Sequence, residues 1–311
     1  MGGRVPDTIR LTDPEHLTVV SIATNFGNIA YSMTVRGVEI LYKPAPDLDA
    51  WRAKPGLGGV PLLSPWANRI DGDAFYANGK KYVLNPGLGN VRYDGHHLPI
   101  HGLVSFTDKW RVIRSDSASV TSRLEPWREP DWMAQFPFAH TIEVTHRLHG
   151  GSLEVSTTVE NLSSEPMPLS LGYHPYFQLT DSPRDDWKVH LAARESVVLS
   201  DLLVPTGERK PVEFENPYPL AGHVLDNVFT GLTGGDWVLE GKKQKIAVKF
   251  GPKYPVAVVY APKGGSFVCF EPMASQTNAF NMTHAGKDAG LQSIAPGTKW
   301  SESFFITPTG F

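Results

Sequence analysis

Cysteine is nearly absent from this chain: among 311 residues only Cys269 carries a thiol. One thiol closes no intrachain disulfide, so a disulfide framework is excluded and a reducing, cytoplasmic compartment is expected. Charge imbalance is also lacking, with a net charge of -3 at pH 7 and a pI near 6.4. Electrostatics therefore give no reason to expect nucleic acid or an anionic membrane as a partner. The N-terminal Met1-Gly2-Gly3-Arg4-Val5-Pro6-Asp7 holds no long apolar run, so neither a signal peptide nor a membrane span is expected. The sequence shows no βαβ alternation, no fixed-period repeat, no low-complexity segment and no linker-like stretch. One large domain is expected over 1–311, with its core at about 17–308.

Glycine and proline, by contrast, are plentiful, at 29 and 26 residues. They punctuate the chain roughly every six residues, which leaves little room for long helices and favours short strands joined by turns. A first strand is read over Leu17 to Ala23, and a hairpin over Ile29 to Val35 and Val38 to Tyr42. A second hairpin joins Ala74–Ala77 to Lys80–Leu84 through Asn78-Gly79, which supplies the positive φ angles of a type I′ turn. Further pairs are Trp110–Asp116 with Ser119–Glu125, and Phe138–Leu148 with Ser152–Val159. In the last arm Leu153, Val155, Thr157 and Val159 alternate with Glu154, Ser156, Thr158 and Glu160, so one face should be wet. Later strands are expected at Trp187–Ala192, Ser196–Leu199, Trp237–Leu239, Lys245–Phe250, Val256–Tyr260, Ser266–Phe270 and Trp300–Thr307. Only Trp132–Phe136 and Ser275–Phe280 have room for a helical turn or two. The expected class is all-β: a single large antiparallel β-sandwich of twisted sheets.

Three kinds of chemistry can be weighed on the residues alone. His97 and His101 have the i, i+4 spacing of a zinc-binding helix, with His96 beside them, but Pro99 lies between and no acidic partner follows. The reading is a loop with one useful histidine and no metal. Gly56-Leu57-Gly58-Gly59 and Gly231–Gly235 fall short of a phosphate-binding loop and precede no helix, so they read as turns. The third is a carboxylate–imidazole pair. His174 sits in Leu171-Gly172-Tyr173-His174-Pro175-Tyr176-Phe177, an imidazole among aromatic rings, held out of helical geometry by Pro175. Glu271 ends the apolar run Phe267-Val268-Cys269-Phe270, where partial desolvation would raise its pKa. Together they make a base and an acid, against the plainer alternatives of a core histidine and a solvated strand-end glutamate.

Several short runs then fall in one order: Asn68-Arg69-Ile70, Ile100-His101-Gly102, Gly172–Phe177, Leu225-Asp226-Asn227-Val228-Phe229, Phe270-Glu271-Pro272, Thr277–Asn281 and Ile294-Ala295-Pro296-Gly297. In that order they resemble the aldose 1-epimerase (galactose mutarotase) family, over residues 20 to 308. The resemblance implies the galactose mutarotase-like β-supersandwich and cofactor-free, metal-free interconversion of the α and β anomers of an aldose. It makes Glu271 the base that takes the C1 hydroxyl proton and His174 the acid that protonates the ring oxygen. Arg69 and His101 would hydrogen-bond near the ring oxygen and neighbouring hydroxyls, with Asn68 beside them, and Asp226 would orient a sugar hydroxyl. Tyr173, Tyr176 and Phe177 are read as packing.

The substrate is less uniform in its signals. Where typical galactose mutarotases carry a second glycine, this chain has Gly102-Leu103. Gly59–Trp66 and His101–Ser105 look closer to the hexose-6-phosphate epimerase branch, which places an arginine where Ser105 stands. Arg92, Lys80 and Lys81 are the cations available to a phosphate, while Asn68-Arg69-Ile70 leans to neutral sugars. A free hexose is favoured. The alternatives are a hexose 6-phosphate, or a non-catalytic carbohydrate-binding module of the same fold. The expected partner is a small sugar alone, on a monomer or homodimer.

Overall fold

Alternating burial organises the strands of the computed structural model, which describes residues 7–311. Along Ser152–Asn161 every second residue is buried, from Leu153 to Asn161. Such a pattern suits a strand with one face on a core and one on solvent. The strand lies inside a nine-stranded antiparallel sheet, between His140–His149 and Lys299–Thr309.

The second large sheet has eight strands. Its main path runs Pro205–Pro211, Ala193–Leu199, Leu225–Leu232, Val256–Ala261, Val268–Met273, Gly172–Tyr173 and Leu62–Leu63. Tyr176–Phe177 also pairs with Val268–Met273. The two sheets face each other across an aromatic core. Tyr173 meets Phe304 at 4.9 Å between ring centroids, and Phe229 meets Trp237 at 5.6 Å. The Tyr173 hydroxyl is paired with Thr157 Oγ1 at 2.6 Å, so its polar end is satisfied inside the sandwich. Burying each such ring contributes on the order of 2–3 kcal/mol. The fold is therefore the expected all-β sandwich. A four-stranded sheet over Thr8–Glu39 and two small two-stranded pairs complete it.

Most predicted strands form, and the Asn78-Gly79 turn has both residues at positive φ, 50° and 73°. Other elements differ from expectation. Leu17 is not in a strand but in a left-handed turn at φ 51°, and Thr8–Asp13 is an unforeseen strand paired with Thr18–Ala23. Leu48–Ala53 is a helix, capped by the Asp47 carboxylate on the Ala50 N–H at 2.8 Å, which the density of nearby prolines concealed. The helix expected at Ser275–Phe280 begins four residues later, as Ala279–His284, because Asn278 at φ 59° breaks the chain direction first. Pro205–Pro211, an exposed and charged edge strand, lacks the apolar alternation that would announce it. Among the described residues no helix is long and apolar enough to cross a membrane.

Candidate active site

Strand register on the outer face of the eight-stranded sheet places the central residues. Gly172 pairs with Met273 and Tyr176 with Cys269. Counting inward from both pairs sets residue 174 opposite residue 271. Glu271 in turn pairs with Val258, and Val258 with Val228. One step along the sheet, Tyr176, Cys269, Tyr260 and Asp226 form a parallel row. Side chains alternate across a strand, so Phe270 enters the core while Glu271 points to the opposite face. His174-Pro175 interrupts the ladder between the two short strands, and the His174 N–H bonds instead to the Pro61 carbonyl at 3.1 Å.

Loops supply the facing wall. The His101 N–H donates to the Asn68 carbonyl at 2.9 Å, and both residues hold positive φ, 63° and 54°. Gly102 follows at φ 61°, and a Cβ there would run into the Ser64 carbonyl. Glycine at this position thus lets the His101 turn close against the chain before Pro65. Arg69 is held through Nε to Asp94 Oδ2 at 2.6 Å.

All six residues singled out in the sequence line one cleft of about 230 Å³: Asn68, Arg69, His101, His174, Asp226 and Glu271. Leu57, Ile100, Tyr176, Val258 and Tyr260 complete it. The volume lies below the ~300–1,000 Å³ usual for drug-sized ligands, and suits one sugar ring. Leu57 comes from the glycine loop read as a mere turn, and that loop also fixes Tyr176, whose N–H bonds to the Gly59 carbonyl at 2.9 Å. Tyr173 and Phe177 pack in the core as expected, whereas Tyr176 both packs and lines the cleft. Tyr260 was legible only as the last pocket-side member of the Val256, Val258, Tyr260 alternation. Asp94 had no sequence signal at all.

At the floor, His174 Nε2 lies 3.3 Å from Glu271 Oε1. The imidazole stacks on Tyr176 at 4.6 Å and 6°, and meets His101 edge-on at 5.5 Å. Glu271 Oε2, His174 Nδ1 and His101 Nδ1 are buried without a hydrogen-bond partner among the described residues. Buried polar atoms are rarely left so, and three at one cleft mark where a polar ligand would bind.

Burial drives the electrostatics. It pushes the Glu271 carboxyl well above the usual carboxylate range, Asp226 adds to the rise, and Arg69 opposes it. Burial likewise lowers the His174 imidazole, helped by Arg92 and Arg69 and opposed by its backbone hydrogen bond. His101 is lowered by burial and by the neighbouring His174, Arg92 and Arg69. An ionised Glu271 would pull His174 the other way, so the pair is best regarded as sharing one proton between a neutral and an ion-paired form. Asp226, exposed at the mouth, is raised by the protein around it and lowered by Arg69.

The other cations named from the sequence are not lining residues, although Arg92 stands close enough behind the cleft to act on His101 and His174. Lys80 pairs with Glu165 at 2.5 Å on the Ala74–Val83 hairpin, and Lys81 lies over the Tyr76 ring at 6.0 Å. Arg92 lies over the Phe106 ring at 5.1 Å, with Nη1 buried and unpartnered among the described residues. Ser105 is buried, its hydroxyl donating to the Leu62 and His101 carbonyls. His96 and His97 are exposed, outside the cleft.

Comparison with known proteins bears on the fold and the family. In Escherichia coli, the uncharacterized protein YphB is 26% identical over 76% of this chain and 78% of its own length. Human galactose mutarotase is 29% identical over 62% of this chain and 54% of its own. A galactose mutarotase-like protein from Clostridium acetobutylicum superimposes with a TM-score of 0.85 at 22% identity, over 98% of this chain and 95% of that one, and shares the fold. The sequence profile of aldose 1-epimerase matches residues 7–307, nearly all of the chain. With this match added to the sandwich and the ordered motifs, the chain belongs to the aldose 1-epimerase family.

Proposed function

We propose that this chain interconverts the α and β anomers of a neutral hexose, with Glu271 and His174 as the acid–base pair. The observation that carries the reading is their 3.3 Å contact at the floor of the cleft, with Glu271 Oε2 and His174 Nδ1 uncommitted. Mutarotation moves two protons on oxygens bonded to the same carbon. Glu271, as carboxylate, takes the proton of the C1 hydroxyl. The C1–ring oxygen bond breaks as the C1–O bond becomes a carbonyl, and His174, as imidazolium, gives its proton to the departing ring oxygen. Rotation about C1–C2 and reclosure on the other face run the transfers backwards and restore both groups. No redox step or covalent intermediate is required. The ion-paired form of the shared-proton pair is the competent one, and the desolvated site keeps both pKa values far from their ordinary positions.

The lining supports an uncharged sugar. Asp226 and Asn68 offer hydroxyl partners, and among the described residues the only cationic one in the lining is Arg69, whose Nε is committed to Asp94. A phosphate dianion would meet the Asp226 carboxylate. Arg92, with an Nη1 that has no partner among the described residues, favours a 6-phosphate, as do the Gly59–Trp66 and His101–Ser105 runs. Polarimetry or saturation-exchange NMR on freshly dissolved α-glucose and α-galactose tests the proposal. Acceleration over buffer is expected, and none with any common aldose would overturn it. Faster turnover of glucose 6-phosphate than of glucose would transfer the proposal to the phosphorylated sugar. Binding without acceleration would leave a carbohydrate-binding module.

A further inference from the structure

Arg69 reaches the cleft from an irregular loop, and something must hold its long side chain in place. Its backbone carbonyl accepts from the Asn278 N–H at 2.9 Å, and its neighbour Ile70 donates to the Pro99 carbonyl at 2.9 Å. The side chain itself makes one hydrogen bond to a described residue, Nε to Asp94 Oδ2 at 2.6 Å. Asp94 Oδ1, meanwhile, accepts from the His96 and Leu98 N–H groups, both at 2.9 Å. The Asp94 N–H donates to the Leu98 carbonyl at 3.0 Å and closes the same turn. Asp94 therefore has one oxygen on the guanidinium and the other on the loop that leads to His101. Its side chain is 8% exposed and that of Arg69 17%, so the pair is shielded from screening more than a surface ion pair is.

We propose that Asp94 is a positioning residue for sugar binding: by holding Arg69 at Nε it turns the two terminal amino groups into the cleft as one planar fork. An arginine bound through Nε keeps both Nη groups free, and a rigid fork loses less entropy when it grips two hydroxyls. A lysine at position 69 could not be held in this way. The carboxylate also keeps Arg69 in register with His101, because the same side chain sets both. Burial alone would raise the Asp94 carboxyl, but the Leu98 N–H, Arg69 and the His96 N–H together hold it low, so it remains an anion where the sugar site operates.

The inference rests on the cleft being a sugar site, and its test is distinguishable from that of the function. Asp94→Asn keeps an oxygen for the His96 and Leu98 N–H groups but turns an amide N–H toward Arg69 Nε. With wild-type mutarotation established, KM for the sugar should rise about tenfold while kcat changes little, as expected for one charge-assisted hydrogen bond. In an Arg69→Ala background the same change should add almost nothing, since no guanidinium is left to hold. Unchanged KM in Asp94→Asn, or a loss equally large in the Arg69→Ala background, would overturn the proposal. Should the asparagine variant not fold, as judged by its thermal transition, Asp94→Ser keeps a hydroxyl acceptor for the loop and carries the same expectation. If neither variant folds, Asp94 serves the loop alone and the positioning role is refuted. An inactive wild type would refute the function instead.

Discussion

Replacing Glu271 by glutamine separates chemistry from binding at this site. The side chain is 1% exposed, with Oε1 at 3.3 Å from His174 Nε2 and Oε2 without a protein partner among the described residues. Glutamine keeps the shape, keeps one oxygen to face His174, and resembles the protonated acid that burial already favours. It cannot accept a proton. Loss of a general base costs about 10²–10⁴-fold in rate, or roughly 3–5 kcal/mol in the barrier. Turnover by saturation-exchange NMR should fall by that factor while KM moves little, because the hydrogen bonds to the sugar persist. Stability carries a second check. The folded-state pKa of Glu271 is raised, so the native chain holds this proton more tightly than the unfolded chain does. The stabilisation is complete below the ordinary carboxylate range and is lost as pH rises toward the folded value. The glutamine variant should therefore melt no lower than wild type at neutral pH, and should resist rising pH better. A glutamine variant with wild-type kcat would refute the base assignment, and a large drop in melting temperature would refute the electrostatic reasoning.

Other expectations follow from the same geometry. The rate–pH profile of kcat/KM should be bell-shaped, with limbs belonging to the Glu271–His174 pair, and Glu271→Gln should remove one limb. A glutamine variant with both limbs intact would contradict this. His174→Asn should lower kcat by a similar factor to Glu271→Gln, measured in the same assay, and a wild-type rate would remove His174 from the mechanism. His146 is buried in the nine-stranded sheet with both ring nitrogens unpartnered among the described residues, and burial lowers it to about 4. Its folded pKa is depressed, so the unfolded chain takes up the proton first and stability falls as pH drops from about 6.5 to about 4, by roughly 3 kcal/mol. His146→Leu should raise the melting temperature at pH 5 more than at pH 8; an equal gain at both would show that titration is not the cause. Gly102→Ala forces a Cβ onto a backbone at φ 61° and into the Ser64 carbonyl. Backbone strain of about 1–3 kcal/mol is expected, with lowered activity through the displaced His101, read by denaturant melts and kinetics together.

Much of the fold was legible because antiparallel strands with one wet face carry their own period. Ser152–Asn161 and the Asn78-Gly79 hairpin are local facts, written in alternation and turn chemistry. Thr8–Asp13 and Pro205–Pro211 were not, since both owe their pairing to neighbours rather than to apolar alternation. The helix at Leu48–Ala53 hid among turn residues, although Asp47 was an available cap.

The candidate site divides along the same line. Sequence alone marked the candidates for the chemistry: an imidazole before a proline, a carboxylate at the end of an apolar strand, and, through the ordered motifs of the family resemblance, Asn68, Arg69, His101 and Asp226. Those are properties of residue type and neighbour. Only the tertiary structure decided that the six share one cleft, because strand register brings residue 174 opposite residue 271 across nearly a hundred intervening positions. It also decided the places of Leu57, Tyr260 and Asp94, of which only Tyr260 had a local signal, the alternation of its strand. And it decided the protonation landscape. A pKa follows from how much water a fold removes and which charges it leaves nearby, and neither quantity exists until the sheets have closed.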